Sequence, residues 1–83
     1  MITYSKVALR ALRRVPANTA ALIMDKIGLL ADDPRGRHQQ LHALTGTDAL
    51  RLRVGDWRVI LEIDDAAKKI RIRLIAPRGS AYR

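Results

Sequence analysis

Apolar and polar residues alternate through Leu50-Arg51-Leu52-Arg53-Val54, pause at Gly55-Asp56, and alternate again through Trp57-Arg58-Val59-Ile60-Leu61-Glu62-Ile63-Asp64. A period of two predicts strands over Ala49–Val54 and Trp57–Asp64, with Gly55 and Asp56 as a two-residue hairpin turn. That turn places Val54 opposite Trp57, Leu52 opposite Val59 and Leu50 opposite Leu61, which makes one apolar face. The other face receives Arg53 directly across from Arg58, with Arg51 close by. A third strand is expected from about Lys69 to Ala76, after a turn over Asp64–Lys68. In the simplest register Ile70, Ile72 and Leu74 extend the apolar face, Arg71 and Arg73 extend the basic face, and Glu62 lies opposite Arg71.

The period lengthens toward the N-terminus. Ile2-Thr3-Tyr4 suits a short strand. Ser5 is placed to cap a helix from about Lys6 to Val15, in which Val7, Ala8, Ala11, Leu12 and Val15 form the apolar stripe. Lys6, Arg10, Arg13 and Arg14 fall on its other side, most simply a solvated face. Pro16 ends this pattern. A second helix fits Asn18 to about Ala31, with Ala20, Ile23, Met24, Ile27, Leu30 and Ala31 in helical spacing. Gly28 weakens it, and Leu22 and Leu29 fall off the main stripe, so this helix is buried on two sides or meets a partner. Turn residues make a loop of Asp32–Arg37, and the stretch from His38 to Asp48 has no clear period and reads as a structured connection. The tail Pro77–Arg83 is too short and Gly-rich to read as a helix.

The order predicts an α+β fold in one domain spanning residues 1–83. A short N-terminal strand and a helical hairpin precede a three-stranded antiparallel meander. Together they form one small sheet with the helices on one face. Two helices cover only one side of so small a sheet, so the face carrying Arg51, Arg53, Arg58, Arg71 and Arg73 is left open to a ligand.

Composition narrows the choice of ligand. The chain has 83 residues, 48% of them hydrophobic, which suffices for one modest core. It has no cysteine and two histidines, so neither a disulfide framework nor a metal site is expected, and no cofactor is called for. No apolar run approaches membrane-spanning length and no signal-peptide pattern opens the chain, which reads as cytoplasmic with no membrane partner. Sixteen Lys and Arg stand against eight Asp and Glu, a net charge of +8. Nine of the basic residues lie in residues 49–83, against four acidic ones. Such a field suits a polyanion or an acidic protein partner.

Like charges directly opposite on a sheet are destabilising. The Arg53–Arg58 pair therefore points to an anion between the guanidiniums, and phosphate or carboxylate are the anions arginine binds best. The blander reading is preferred elsewhere. Arg71 and Arg73 make cross-strand ion pairs with Glu62, which is better suited to a salt bridge than to a catalytic base. Trp57 packs in the core. His38 and His42 lie in the connection, and no partner for either is visible in the sequence.

The chain resembles the RelE/ParE toxin superfamily of bacterial toxin–antitoxin systems over nearly its whole length. The resemblance is carried by the helix pair ending in Leu29-Leu30-Ala31-Asp32-Asp33-Pro34, by Leu44-Thr45-Gly46, by the string Leu50–Ile60, and by Arg78 with Tyr82-Arg83 at the end. It implies the same small sheet with two helices on one face. It also implies one of two activities. RelE-like members cleave mRNA in the ribosomal A site, whereas ParE-like members inhibit DNA gyrase and are not nucleases. Members of both branches are neutralised by an antitoxin in a hetero-oligomer. A family member that has lost toxicity and serves as an antitoxin-binding module is a third reading.

By matching positions, the RelE-like branch implies that Arg51 and Arg53 stand near the nucleophile and the phosphate. Arg58 binds the phosphate, Arg78 stabilises or protonates the leaving group, and Tyr82 stacks on or orients a base. Two positions depart from that pattern. Arg51 stands where the best-known RelE-like sequences carry lysine, and arginine stays protonated at neutral pH. Ala76-Pro77 replace the Gly-His that often precedes the terminal arginine. These departures keep the ParE-like branch open.

Overall fold

The computed structural model describes residues 1–34, 36 and 38–77. Strand β1 (Ile2–Tyr4) leads into helices α1 (Lys6–Arg14) and α2 (Ala17–Asp32), and four further strands follow: β2 (Leu41–Ala43), β3 (Leu50–Val54), β4 (Trp57–Asp64) and β5 (Lys69–Pro77). They form one sheet in the order β1-β5-β4-β3-β2. β1 runs parallel to β5, and every other neighbouring pair is antiparallel. The expected α+β architecture is present, with one addition: the unperiodic stretch after His38 contributes the edge strand β2. Three residues are too few to show an alternation, and β2 is defined by what it pairs with, namely Leu41 with Leu52, His42 with Arg51 and Ala43 with Leu50.

The β3–β4 register is the one the alternation predicts, from Leu50 opposite Leu61 to Val54 opposite Trp57. Gly55 has φ +57° and Asp56 does not share the positive φ. This is the pattern of a type II′ turn, whose twist matches that of the strands it joins. The turn matters because a slip of one residue would drive the arginines into the core.

Both helices lie against the apolar face. Ala8 from α1 and Ile23, Ile27 and Leu30 from α2 meet Leu52, Val54, Val59, Leu61, Ile70, Ile72 and Ile75 in one buried cluster. Trp57 packs against its margin, as the hairpin register requires. The helical stripes are narrower than their spacing suggests. Val7 is 54% exposed and Met24 53%, and they join Leu9, Leu22 and Leu29 on the outer surface.

β5 departs from simple alternation. Leu61 pairs with Ile72 but Ile60 pairs with Leu74, so Arg73 is an extra residue, a β-bulge. Beyond it the faces exchange. Ile75, not Leu74, enters the core at 3% exposure, and Leu74 lies on the arginine side opposite Ile60. Ser5 is tied to this irregularity. Its hydroxyl accepts from the Ala8 N–H at 3.0 Å as the cap of α1 and donates to the Arg73 carbonyl at 2.7 Å. The bulge thus fixes where α1 begins. Replacing Ser5 by alanine removes both bonds and is expected to cost about 1–2 kcal/mol, a fall in melting temperature readable by circular dichroism.

Candidate functional site

The face opposite the helices is built by the odd members of β3 and the even members of β4. Arg53 stands across from Arg58, and Arg51 from Ile60. Cβ atoms of directly opposed residues lie about 5 Å apart, so two guanidiniums share a small area beside the Gly55 turn. Arg53 is exposed, whereas Arg51 and Arg58 are half-buried. A shallow depression of about 490 Å³ opens beside Arg51, lined by Ala43, Leu44, Thr45 and Thr47. Another, of about 350 Å³, lies at the far end of the sheet around Met1, Ile63 and Lys69, and contains none of the three arginines.

The carboxylates of β4 are kept away from this cluster. Glu62 accepts from Arg73 at 2.9 Å and Asp64 from Arg71 at 3.2 Å. Glu62 is in register with Arg71, as expected, but its ion pair is made diagonally to Arg73, because the bulge shifts that side chain along the strand. Both pairs lie toward the end of β4 remote from the Gly55 turn. Arg71 and Arg73 therefore balance the acidic end, while Arg51, Arg53 and Arg58 concentrate positive charge at the other.

The acidic end makes its own prediction. The Asp64 carboxyl is held below the usual carboxylate range, first by the Ala67 N–H and then by the nearby Arg71 guanidinium. A depressed carboxyl stabilises the fold above its unfolded pKa and loses that contribution as pH falls through the folded value. The Asp64 contribution is thus complete at neutral pH and disappears below about pH 4. In Arg71→Ala the Asp64 midpoint, followed by carboxyl NMR, is expected to rise yet stay below the ordinary value, because the backbone donor remains.

Of the residues singled out in the sequence, the structure brings Arg51, Arg53 and Arg58 to one open face. Arg78 and Tyr82 lie outside the described residues, as do Arg35 and Arg37 of the expected loop. The two histidines separate. The His38 ring bonds to the Asp33 carbonyl at 2.6 Å, closing the loop after α2. His42 is exposed on β2, opposite Arg51. The unperiodic sequence around His42 gave no sign of that position, since only pairing with β3 defines it. Among the described residues no three His, Cys, Asp or Glu side chains are grouped to hold a metal ion, and no helix is long and apolar enough to cross a membrane.

No family model and no curated protein matches the chain by sequence. Solved structures do match it by shape. The RelE–RelB complex of the archaeon Pyrococcus horikoshii OT3 contains a chain 30% identical, with a TM-score of 0.81 and 96% of each chain covered. The RelBE2 toxin–antitoxin complex of Mycobacterium tuberculosis contains one 21% identical, with a TM-score of 0.79, covering 94% of this chain and 96% of that one. The isolated E. coli RelE toxin is 13% identical, with a TM-score of 0.80, covering 99% of this chain and 87% of that one. The latter two establish a shared fold, and the first adds sequence likeness over almost the full length. With the Arg51–Arg58 hairpin, the helix pair and the five-stranded sheet all in place, this chain belongs to the RelE/ParE toxin superfamily.

Proposed function

We propose that this protein is the toxin of a type II toxin–antitoxin module and acts as a ribosome-dependent mRNA endoribonuclease of the RelE-like kind. The observation that carries this reading is Arg53 opposite Arg58, with Arg51 beside them, on a sheet face that neither α1 nor α2 covers. Single-stranded RNA presents one phosphate per nucleotide, and a cluster of guanidiniums suits both its charge and its bidentate geometry.

In the proposed reaction a ribose 2′-OH attacks the adjacent phosphorus and the 5′-oxygen of the next nucleotide leaves. The products are a 2′,3′-cyclic phosphate and a 5′-hydroxyl. Negative charge grows on the non-bridging oxygens as the phosphorane forms. Fixed cations at that point lower the barrier because they need no reorganisation when the charge develops. Arg58 and Arg53 supply those cations, and Arg51 lies on the side of the attacking ribose. Arg78 stabilises or protonates the leaving oxygen and Tyr82 stacks on a neighbouring base, roles that rest on the family resemblance. The ribosome contributes by holding mRNA in a fixed conformation in the A site, which reduces the entropy cost of bringing the 2′-OH into line.

The same reading includes a cognate antitoxin. Val7 and Leu9 of α1 and Leu22, Met24 and Leu29 of α2 are exposed, and an amphipathic segment of a partner laid on the helical layer would cover apolar side chains among them. A protein encoded beside this one is expected to co-purify with it, and Leu22→Asp with Leu29→Asp is expected to weaken that capture.

Primer extension on mRNA bound to programmed ribosomes, compared with free RNA, tests the activity. Cleavage confined to the A site and dependent on ribosomes is the expected result. A protein that arrests growth without cleaving mRNA, and with DNA supercoiling failing first, would instead be a ParE-like gyrase inhibitor. Its arginine face would then be a protein-binding surface.

A further inference from the structure

The proposed cleavage needs a group to accept the 2′-OH proton, and the arginine face has few candidates. A guanidinium offers donors and no acceptor, so Arg51, Arg53 and Arg58 do not serve. Glu62 and Asp64 are engaged by Arg73 and Arg71 at the far end of β4. Among the described residues Asp56 lies in the turn between β3 and β4, and a titratable group on the strand face beside the cluster comes from β2. Leu41 and Ala43 pair with Leu52 and Leu50 on the core side, so His42, between them, projects on the arginine side. It stands directly across from Arg51, with Arg53 on the diagonal, and it is exposed. Those two guanidiniums are the charged groups facing it from β3, the strand against which β2 pairs. An imidazole changes its protonation between pH 5 and 8 and accepts a proton through a ring nitrogen.

We propose that His42 is the general base of this site. This rests on the endoribonuclease reading given above. In the step itself, a ring nitrogen of neutral His42 takes the ribose 2′-OH proton while the 2′-oxygen forms its bond to phosphorus. The P–O5′ bond breaks with its electron pair on the 5′-oxygen, which takes a proton from solvent water. The imidazolium then returns its proton to solvent. Arg51, across the strand pair from His42, lies on the same ribose side, and Arg53 and Arg58 hold the phosphate, so a base on β2 and cations on β3 and β4 flank the reacting phosphorus.

The test is single-turnover cleavage of mRNA on programmed ribosomes between pH 5.5 and 8.5, with the wild-type protein, His42→Ala and His42→Gln. The wild-type rate is expected to rise with pH through the imidazole range and then level off. Both variants should be slower by about 10²–10⁴-fold and lose that rise. Free imidazole in the buffer should restore part of the alanine variant's rate with the wild-type pH dependence. His42 is exposed, so the variants should melt within a few degrees of wild type, and ribosome binding should be unchanged. A His42→Ala protein that cleaves at the wild-type rate, or more slowly with the wild-type pH profile and no imidazole rescue, overturns the assignment of the base and leaves the nuclease reading standing. A wild-type protein that cleaves no mRNA on ribosomes overturns both.

Discussion

Arg58→Ala is expected to slow A-site cleavage by about 10²–10³-fold without unfolding the protein. The figure is that for removing one fixed donor from a developing oxyanion. The fold should tolerate the change because Arg58 sits on the face away from the buried cluster and opposes another cation, Arg53. The stability effect even has a sign that separates an anion site from an ordinary basic surface. Arg53→Glu converts a like-charge pair into an opposite-charge one, and is expected to stabilise the fold by up to about 1 kcal/mol while abolishing cleavage. Binding to single-stranded RNA should also lose salt dependence, by about 0.7 in the log–log slope for each phosphate contact removed. Rates from primer extension, melting by circular dichroism and RNA affinity at several salt concentrations check the three parts. A folded Arg58→Ala, Arg53→Glu double variant with wild-type cleavage would refute the site.

The second large effect is on stability. Ile27 is fully buried in α2 and meets the sheet in the central cluster. Truncation to alanine removes most of that side chain and leaves a cavity between helix and sheet, an expected cost of about 2–5 kcal/mol. Globular domains are stable by roughly 0.05–0.15 kcal/mol per residue, so for 83 residues this is a large share of the total. The melting temperature should fall by on the order of 10–30 °C in a thermal scan. A fall of under 2 °C would mean that α2 is not held to the sheet as the buried cluster requires. An antitoxin that covers the helices should recover part of the loss, because a ligand of the folded state adds its binding free energy to folding.

Much of this follows from local pattern. The hairpin from Leu50 to Asp64 was legible because two physical constraints agree there. Alternation assigns each side chain a face, and a turn with Gly55 at positive φ fixes the register. Arg53 opposite Arg58 is a consequence of both. Ser5 as a helix cap and the helix break at Pro16 were legible for the same reason: each depends on backbone chemistry within a few residues.

The helical stripes were legible only as directions. Spacing placed Val7 and Met24 toward the core with Ala8, Ile23 and Ile27, but where each helix is laid against the sheet decides which edge of a stripe stays in water. Hydropathy along one helix carries no information about how its neighbour is placed.

The sequence by itself therefore determined the α+β order, the core face of β3 and β4, and the arginine cluster on their other face, because these depend on periods and turns within one hairpin. Only the tertiary structure decided the bulge at Arg73, which exchanges Leu74 for Ile75 in the core, since an inserted residue is felt only where one strand is laid against another. Only the tertiary structure placed His42 beside Arg51. A three-residue edge strand has no signal of its own, and its position comes from the free edge of β3 to which it pairs.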